Sequence, residues 1–360
     1  MDLQKLIKGK TELTGKLSKS SPVVISSRIR LARNLSNIPF PGWAKSKQKR
    51  EVLSKCREVV EGFQPFKGGL FVKMEDLTEL EKLILVERHL ISKELTQSAE
   101  AGAMAVDSRQ ARVIMINEED HLRIQVLKSG FNFNRIWKTI DELDSAFEKN
   151  LDYSFSPELG YLTACPTNLG TGMRASVMMH LSALVLSNQM EKVIRAVGQL
   201  GIAVRGIYGE GSDATGSIFQ ISNQQTLGES EKEILKRLSN VLKTVIEHEY
   251  NAREKLFETE RNMIQDKIGR AYGVLKHGYL LNSGEAMNLL SLLRLSVDIG
   301  MLETDWRDII DRLFIENQPA HIQVMAEREL EPSERDAKRA EHLRRSLIEL
   351  PEPDFNKLTF

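Results

Sequence analysis

Cysteine is scarce in this chain, and the little there is does not suggest a disulfide framework. The 360 residues contain two cysteines, Cys56 and Cys165, which exclude a disulfide-stapled fold and show no metal-binding spacing. No run approaches the roughly 20 apolar residues of a membrane-spanning helix, and the first ten residues, MDLQKLIKGK, are too polar for a signal peptide. These absences predict a protein of the reducing cytoplasm with no membrane partner.

The chain also lacks net charge. Its 50 basic and 50 acidic residues cancel, so no sequence-wide attraction to nucleic acid or to an anionic membrane is expected. The length exceeds what one hydrophobic core usually serves, and two domains are therefore predicted.

The stretch from Gly160 to Met178, GYLTACPTNLGTGMRASVM, is the most distinctive part of the sequence. Its residues predict a strand, a tight loop containing Gly170 and Gly172, and a helix that begins near Arg174. Such a loop before a helix N-terminus presents N–H groups, so we expect a phosphate or carboxylate site. It matches neither the Walker pattern GxxxxGK[ST] nor the dinucleotide fingerprint GxGxxG.

Basic and apolar residues alternate near the N-terminus, in Val23-Val-Ile-Ser-Ser-Arg-Ile-Arg-Leu-Ala-Arg33. A strand here places Arg28 and Arg30 on one face and Ile29 and Leu31 on the other, toward a core. The two arginines form either a solvated strand face or a fork suited to a polyphosphate.

Alternation recurs over residues 103–107, 112–116 and 121–127, which predicts short consecutive strands and an antiparallel sheet. Between the last two lies Asn117-Glu-Glu-Asp-His-Leu-Arg123, either a solvated hairpin or part of a site. Helical spacing is predicted over 44–62, 76–95, 133–149, 174–187 and 190–198. His89 falls in the second of these helices, where a lone histidine is either structural or part of a binding site. Further strands are predicted at 202–208 and 217–222.

From Gly228 onward the periodicity is helical, over 229–260, 261–275, 283–300, 305–315 and 333–350, and the tail from Pro351 is predicted to be disordered. The predicted fold class is therefore α+β, an antiparallel sheet flanked by helices and followed by an all-helical C-terminal domain. The predicted boundaries are an N-terminal arm at 1–22, a sheet-containing domain at 23–254, a helical domain at 255–350 and a tail at 351–360.

Several of these segments resemble motifs of the guanidino (phosphagen) kinases, the family of creatine and arginine kinases. Cys165-Pro-Thr-Asn-Leu-Gly-Thr is similar to the family signature, and SSRIRLAR, NEEDHLR, RGIYGEG and SNQQTLG are similar to other family segments in the same order. Within the family, the chain most resembles the bacterial protein-arginine kinases. The likeness covers roughly Ser26 to Gly228 and departs from the pattern at Thr226, where phosphagen kinases usually carry arginine.

The resemblance implies that the chain uses ATP and Mg²⁺, and it assigns roles to particular residues. Glu119 and Glu210 match the two carboxylates that hold the substrate guanidinium, and Cys165 matches a thiolate that helps to position it. No protein residue is predicted to ligate a metal. The positions that match nucleotide-binding residues are Ser27, Arg28, Ile29, Arg30, Leu31, His89, Arg123, Arg174, Ala175, Ser176, Val177, Met178, Arg205, Gly206, Ile207, Tyr208, Gly209 and Glu210.

Phosphorylation of a guanidinium requires these residue types. An arginine side chain stays protonated, with a pKa above about 12, and attacks poorly until it is oriented and relieved of a proton. Two carboxylates can do both, while several arginines neutralise the triphosphate. Cys165 is either an inert packing residue or a thiol whose pKa is lowered by nearby arginines and a helix start.

Two features favour arginine on a protein as the substrate. Typical phosphagen kinases carry a helical domain before the segment that SSRIRLAR matches, whereas Arg28 comes early here, which predicts a pocket open to a polypeptide. In addition, Glu334-Arg-Asp-Ala-Lys-Arg-Ala340 matches the RDxxRA motif of the protein-arginine kinases. That match implies an allosteric phosphoarginine pocket formed by Arg335, Asp336, Arg339 and Ala340. Alternatively, this is a solvated basic helix that Ser333 and Asp336 cap.

The resemblance also implies partners. They are protein substrates with exposed arginine, the activator McsA, the heat-shock repressor CtsR, the ClpC-ClpP protease that receives marked proteins, and a second copy of the chain in a homodimer or larger oligomer. Two alternatives stay open: a kinase for a small guanidino compound, and a regulator that binds phosphoarginine or the repressor without transferring phosphate.

Overall fold

The computed structural model describes residues 2–9, 11–13, 22–98, 100–207, 214–326 and 328–357. The strands are β1 (Val24–Arg33), β2 (Leu70–Lys73), β3 (Ala103–Val106), β4 (Arg112–Ile116), β5 (Leu122–Ser129), β6 (Phe155–Ser156), β7 (Gly160–Tyr161), β8 (Met173–His180), β9 (Ile202–Gly206) and β10 (Ile218–Asn223). The helices are α1 (Leu3–Lys8), α2 (Ser46–Gly62), α3 (Glu79–Glu87), α4 (Lys93–Gln97), α5 (Phe133–Glu148), α6 (Ser182–Leu186), α7 (Met190–Gly198), α8 (Glu231–Thr259), α9 (Arg261–His277), α10 (Ser283–Asp298), α11 (Trp306–Glu316), α12 (Pro319–Ala326) and α13 (Pro332–Ser346). Among the described helices, none has both the length and the hydropathy needed to cross a bilayer.

The chain divides into two compact units. The first unit comprises residues 1–15, 26–177 and 222–238, and the second comprises 16–25, 178–221 and 239–360.

The first unit is built on an antiparallel sheet. Its strands lie in the order β2-β3-β4-β5-β1-β8, with the last residues of β10 beside β8. The pairings of β2 with β3, β3 with β4, β4 with β5 and β5 with β1 are all antiparallel. Helix α5 packs against β5 and α2 against β4, because each helix has an apolar stripe, such as Ile136, Ile140 and Phe147 on α5, that must be covered. The predicted antiparallel sheet with flanking helices is confirmed.

The second unit contains the helical C-terminal part of the chain. Its core combines apolar residues of α9, α10, α11 and α13, among them Leu275, Leu290, Leu313 and Leu343, with Ile218 of β10. Strand β9 lies beside β10. In the described residues beyond 230, regular secondary structure is exclusively helical, as the periodicity predicts.

Several local predictions are wrong. Residues 173–180 form strand β8 instead of a helix, and helical structure begins only at α6. The helix predicted over 76–95 is interrupted after Glu87, where His89 has a left-handed φ of 58°. Helix α12 was not predicted. The tail is not disordered over its described part, since the Phe355 carbonyl accepts hydrogen bonds from Arg261 and Gln265 of α9.

Candidate active site

Four arginines gather on one face of the first unit's sheet. Arg28 and Arg30 alternate with buried Ile29 and Leu31 on β1. The register pairs Ala32 with Arg123 and Arg30 with Gln125, so Arg123 of β5 shares the face of Arg28 and Arg30. On the other side of β1, the Arg28 Nε donates to the Ser176 Oγ of β8 at 3.4 Å. Arg174 lies two residues before Ser176 and therefore shares that face.

The electrostatics of this face are strongly positive. Burial, followed by the neighbouring charges of Arg174 and Arg123, lowers the pKa of Arg28 to about 10. Burial and the charges of Arg28, Arg123 and Arg174 hold the pKa of Arg30 well below its ordinary value. Guanidinium groups that destabilise one another in this way gain from a multiply charged anion. The arginine cluster, defined as Arg28, Arg30, Arg123 and Arg174, is thus suited to a polyphosphate.

The acidic hairpin between β4 and β5 contributes two carboxylates with different surroundings. Glu118 is buried and accepts hydrogen bonds from Arg123 and from Ser92. Glu119 is 42% exposed and accepts from the Arg123 Nη2 at 3.2 Å. The hairpin is tight because Asn117 has a left-handed φ of 55° and its Nδ2 donates to the carbonyls of Lys49 and Ala101.

Glu119 has the properties of a group that can take up a proton. Partial burial raises its pKa, and the attraction of Arg123 only partly opposes this. A carboxylate with a raised pKa is a better base than an ordinary glutamate. Because it remains partly exposed beside the arginine cluster, it can also pair with an incoming cation.

The loop with Cys165 leads into a strand, and the predicted helix N-terminus is absent from this part of the described chain. Residues 166–168 make one 3₁₀ turn, and after Gly170 and Gly172 the chain continues as β8. The Cys165 Sγ is partly exposed and lies 3.0 Å from the Thr167 Oγ1. The helix terminus from which the anion site was predicted is therefore wrong, the anion site itself stays a prediction, and the positive charge nearby comes from side chains.

Asn34 and Asp120 connect the three motifs of the first unit. The buried Asp120 Oδ1 accepts from the Asn34 Nδ2 at 2.6 Å and from the Ala164 N at 2.7 Å. Asn34 also donates to the Leu162 carbonyl. Since Asp120 follows Glu119 and Ala164 precedes Cys165, these bonds bring Glu119 and Cys165 into one neighbourhood. Sequence reasoning missed both residues, although Asn34 directly follows SSRIRLAR.

Thr226, the departure from the family pattern, supports the loop. Its Oγ1 lies 2.9 Å from the Thr167 carbonyl and 2.7 Å from the Leu169 carbonyl. Its own carbonyl accepts from the Thr171 N at 3.0 Å. Thr226 thus holds the backbone on both sides of Gly170, in a place where the resemblance anticipated a phosphate contact.

The other nucleotide-binding candidates in the first unit have mixed placements. Ser27 is buried and donates to the Gly130 carbonyl, Ala175 and Val177 are buried, and Gln125 donates to the His89 carbonyl at 2.9 Å. Ile29 and Leu31 are buried core residues. These residues shape the sheet that presents the arginine cluster.

Some predicted site residues lie in the second unit or outside the described residues. Arg205 and Gly206 are on β9, Ile207 follows them, and Met178 and Ile207 pack against the second unit's core. Tyr208, Gly209 and Glu210 lie outside the described residues. The pairing of Glu119 with Glu210 therefore stays a prediction.

The C-terminal motif lies at the start of α13. The Arg339 guanidinium is buried and donates to the Asn317 and Leu281 carbonyls, both at 2.8 Å, and to the Asp336 Oδ1 at 2.6 Å. Half-buried Arg335 donates to the Leu330 carbonyl at 2.9 Å, and Ala340 belongs to the core. The helix is capped by Glu331 with Glu334, whereas the alternative predicted Ser333 with Asp336.

Among the described residues, no group of three or more His, Cys, Asp or Glu side chains could hold a metal ion. At the candidate site the guanidinium groups of the arginine cluster do not ligate cations, and the nearby carboxylates of Glu118 and Glu119 are bonded to Arg123. A divalent ion there would have to be held chiefly by phosphate oxygens and water.

Two family models together match most of the chain. Residues 51–252 match the model of the ATP:guanido phosphotransferase C-terminal catalytic domain, and residues 261–358 match that of the protein-arginine kinase McsB C-terminal domain.

Proteins named protein-arginine kinase resemble the chain over most of their length. One from Caldanaerobacter subterraneus is 44% identical over 323 residues, covering 89% of this chain and 96% of the relative. One from Symbiobacterium thermophilum is 46% identical over 331 residues, covering 90% and 93%. One from Bacillus licheniformis is 45% identical over 329 residues, covering 91% and 90%.

Solved structures of phosphagen kinases share the fold. A lombricine kinase matches with a TM-score of 0.57 and 26% identity, covering 67% of this chain and 71% of its own. A duplicated taurocyamine kinase from Schistosoma mansoni, with bound transition state analogue components, matches with a TM-score of 0.58 and 23% identity, covering 66% and 35%.

Proposed function

We propose that this chain, which belongs to the family of protein-arginine kinases, transfers the γ-phosphoryl group of ATP to arginine side chains of other proteins. The observation that carries the proposal is the arginine cluster on one sheet face, with Glu119 hydrogen bonded to its member Arg123. Dense positive charge beside an accessible carboxylate suits a polyphosphate donor and a cationic acceptor.

The transfer makes a P–N bond and breaks a P–O bond. A guanidinium nitrogen of the substrate attacks the γ-phosphorus, the bond to the oxygen that bridges the β- and γ-phosphorus atoms breaks, and ADP leaves. The nitrogen gives up a proton, for which Glu119 is the acceptor supported by its raised pKa. Glu210 would pair with a second edge of the guanidinium, and the Cys165 thiol would orient it.

The arginine cluster would hold the triphosphate and stabilise the charge that grows on ADP. Arg205 would add a further contact. Mg²⁺, held by phosphate oxygens and water, would neutralise part of the phosphate charge when bound. The arginines then orient the nucleotide, and Glu119 faces the acceptor.

Mass spectrometry tests this function. The protein is incubated with ATP and a partly unfolded acceptor protein, and peptides are analysed under conditions that preserve acid-labile phosphate. We expect phosphoarginine on the acceptor and its loss in Glu210→Ala. Phosphorylation of free arginine or creatine alone would favour the small-molecule kinase, and ATP binding with no transfer to any acceptor would favour the non-catalytic regulator.

The partners and the cellular setting belong to the same proposal. The kinase would act in the cytoplasm as a homodimer or larger oligomer, with McsA as activator. Its substrates would include the CtsR repressor, which phosphorylation would inactivate, and proteins marked for ClpC-ClpP. Binding of each purified partner, and degradation that depends on the arginine mark, are the direct measurements.

The RDxxRA segment would make the product an allosteric ligand. Phosphoarginine would bind at the start of α13, with Arg335 contacting the phosphoryl group, Asp336 the guanidinium, and Arg339 and Ala340 shaping the pocket. Calorimetric titration with phosphoarginine should show binding that Arg335→Ala weakens, while ATP binding is unchanged. Unaltered phosphoarginine binding in Arg335→Ala would remove Arg335 from the pocket.

A further inference from the structure

Arg33 is a buried arginine on the opposite face of β1 from Arg28 and Arg30. It is 2% exposed. Because side chains alternate along a strand and Arg33 is three residues after Arg30, it points away from the arginine cluster. Its Nη2 and Nε bond to the Asp144 Oδ2 of α5 at 2.6 and 3.1 Å. The proposed nucleotide site does not include Arg33.

Two further contacts of Arg33 reach the two ends of the Cys165 loop, defined as residues 162–170. At the entrance, the guanidinium carbon lies 3.5 Å from the centroid of the Tyr161 ring. At the exit, the Arg33 Nη1 donates to the Thr171 carbonyl at 2.9 Å. The two ends are also joined to each other, because Tyr161 N and O bond to Gly170 O and N.

The environment leaves little room for an alternative arrangement. A Cβ on Gly172 would lie 2.6 Å from the Arg33 Nη1, so the exit of the loop passes directly over the guanidinium. A planar group that stacks on one stem and donates to the other fixes both in distance and in orientation. The ion pair with Asp144 in turn prevents the guanidinium from turning.

We propose that Arg33 is a positioning residue for the reaction: held by Asp144, it clamps the two stems of the Cys165 loop and thereby sets where the thiol stands relative to the substrate guanidinium. The effect of Arg33 on the reaction rests on the proposed function. The clamping of the loop by Arg33 does not. A displaced loop should impair use of the arginine substrate and leave the nucleotide site on the opposite face intact.

Tyr161 offers a test that keeps the buried ion pair. Tyr161→Phe retains the stacked ring and removes only the hydroxyl that donates to Glu148, whereas Tyr161→Leu removes the stack. We expect Tyr161→Leu and Arg33→Lys to raise the KM for the protein-arginine substrate by about tenfold, with an ATP Kd within about twofold of wild type. Tyr161→Phe should behave as wild type.

The rate of thiol alkylation measures the position of the Cys165 loop independently of catalysis. Of the two cysteines, Cys56 is fully buried and burial raises its pKa to about 12, so iodoacetamide reports on Cys165. We expect Tyr161→Leu and Arg33→Lys to change the alkylation rate by at least about threefold, since the loop backbone is no longer clamped. Arg112→Lys, which alters an ion pair with Asp107 elsewhere in the first unit, is the matched control and should leave the rate unchanged.

The outcomes separate the possibilities. Changed alkylation together with a raised KM and an intact ATP Kd supports the proposal. Folded variants, checked by circular dichroism, with wild-type alkylation and KM would overturn it, as would an equal loss of ATP and substrate binding. If the variants change the alkylation rate but the wild-type protein phosphorylates no arginine, the clamping of the loop by Arg33 is supported and the proposed function is contradicted.

Discussion

At the scale of single residues, Glu118 and Glu119 are adjacent in sequence yet differ in surroundings. Glu118 has no exposed side-chain area and is bonded to Arg123 and Ser92, whereas Glu119 shares Arg123 and remains partly exposed. A buried carboxylate that neutralises a buried guanidinium stabilises the folded protein, while a carboxylate open to solvent can bind a substrate. Their substitutions should therefore have opposite signatures.

Glu118→Ala should destabilise the protein by about 3 kcal/mol, because it leaves Arg123 without its buried partner. Glu119→Ala should change stability by less than about 1 kcal/mol, as expected of a partly exposed pair, but abolish phosphoarginine formation. Urea denaturation and the mass-spectrometric assay measure the two effects. Equal losses of stability in both variants would contradict this division of roles.

The loss of activity at acidic pH should follow the protonation of Glu119. Its carboxylate must be ionised to accept a proton, and burial raises its pKa above the ordinary 4.5. Activity should therefore fall on the acid side at a higher pH than an ordinary glutamate would give. In the complex a cationic guanidinium lowers that pKa again, so the acid limb of kcat/KM should lie above that of kcat. Coincident limbs, or a limb retained in Glu119→Gln, would exclude this assignment.

At the scale of elements, the glycine loop before β8 depends on backbone conformation. Gly172 has a φ of 63°, and a Cβ there would lie 2.6 Å from the Ala32 carbonyl oxygen. Gly172→Ala should destabilise by about 1–3 kcal/mol. Gly198→Ala is the matched control, because its Cβ would meet nothing within 4 Å and helix α7 should gain up to about 1 kcal/mol. Denaturation midpoints of the two variants should move in opposite directions.

Helix α13 shows that two arginines of one motif can differ in what they stabilise. Arg339→Ala would leave the Asn317 and Leu281 carbonyls without a donor and Asp336 without its partner, at a cost of about 3–5 kcal/mol. Arg335→Ala removes one bond from a half-buried side chain and should cost roughly 1 kcal/mol. Chemical denaturation distinguishes them. If Arg339→Ala is as stable as wild type, the buried contacts of Arg339 are not structural.

Elements with a strong local pattern could be predicted from the sequence. Strand β5 alternates apolar and polar residues over most of its length, β4 is a short run of β-branched and other apolar residues, and α2 and α5 carry clear apolar stripes. Strand β8 could not, because MRASVMMH contains good helix formers and its conformation is decided by pairing with β1, which lies far away in the chain. The break at His89 depends on one left-handed residue that is not a glycine.

The candidate site shows the same limit. Arg28, Arg30, Arg123 and Glu119 could be predicted because each lies in a motif whose residues share a strand or a turn. Asn34 and Arg33 could not, because their partners Asp120 and Asp144 are 86 and 111 positions away. A contact of that separation leaves no periodicity within any window of the sequence.

At the scale of the whole molecule, each unit needs its own source of stability, and the second contains a buried ionic network. Arg294 bonds to Asp311 at 2.6 Å and to Asp298 at 2.9 Å, and Arg253 bonds to Glu249 at 2.9 Å. His180, with no exposed area, lies within this network. Its Nδ1 accepts from the Arg294 Nη1 at 3.2 Å and its Nε2 donates to the Ser291 Oγ at 2.8 Å.

These bonds keep His180 neutral in the folded protein. Asp298 is 4.0 Å from Nδ1 and would favour a proton there, but that nitrogen is already an acceptor for Arg294. Burial and the charges of Arg294, Arg253 and Arg307 hold the pKa of His180 well below its ordinary 6.5. Below that ordinary value the unfolded chain binds a proton that the folded chain does not, so this residue makes stability fall as the pH falls.

The network should therefore make the protein acid-sensitive through one identifiable proton. Between pH 6.5 and pH 5, His180 should lower the unfolding free energy by up to about 1.4 kcal/mol per pH unit, and His180→Gln should remove that part of the slope whatever its effect on stability at neutral pH. Ser291→Ala is the control, because it removes the hydrogen bond and keeps the titrating ring, so the slope should persist. Urea denaturation at half-unit steps of pH measures all three proteins. Parallel curves for wild type and His180→Gln would mean that the ring takes up its proton without unfolding, and that the arginines around it do not exclude a further charge.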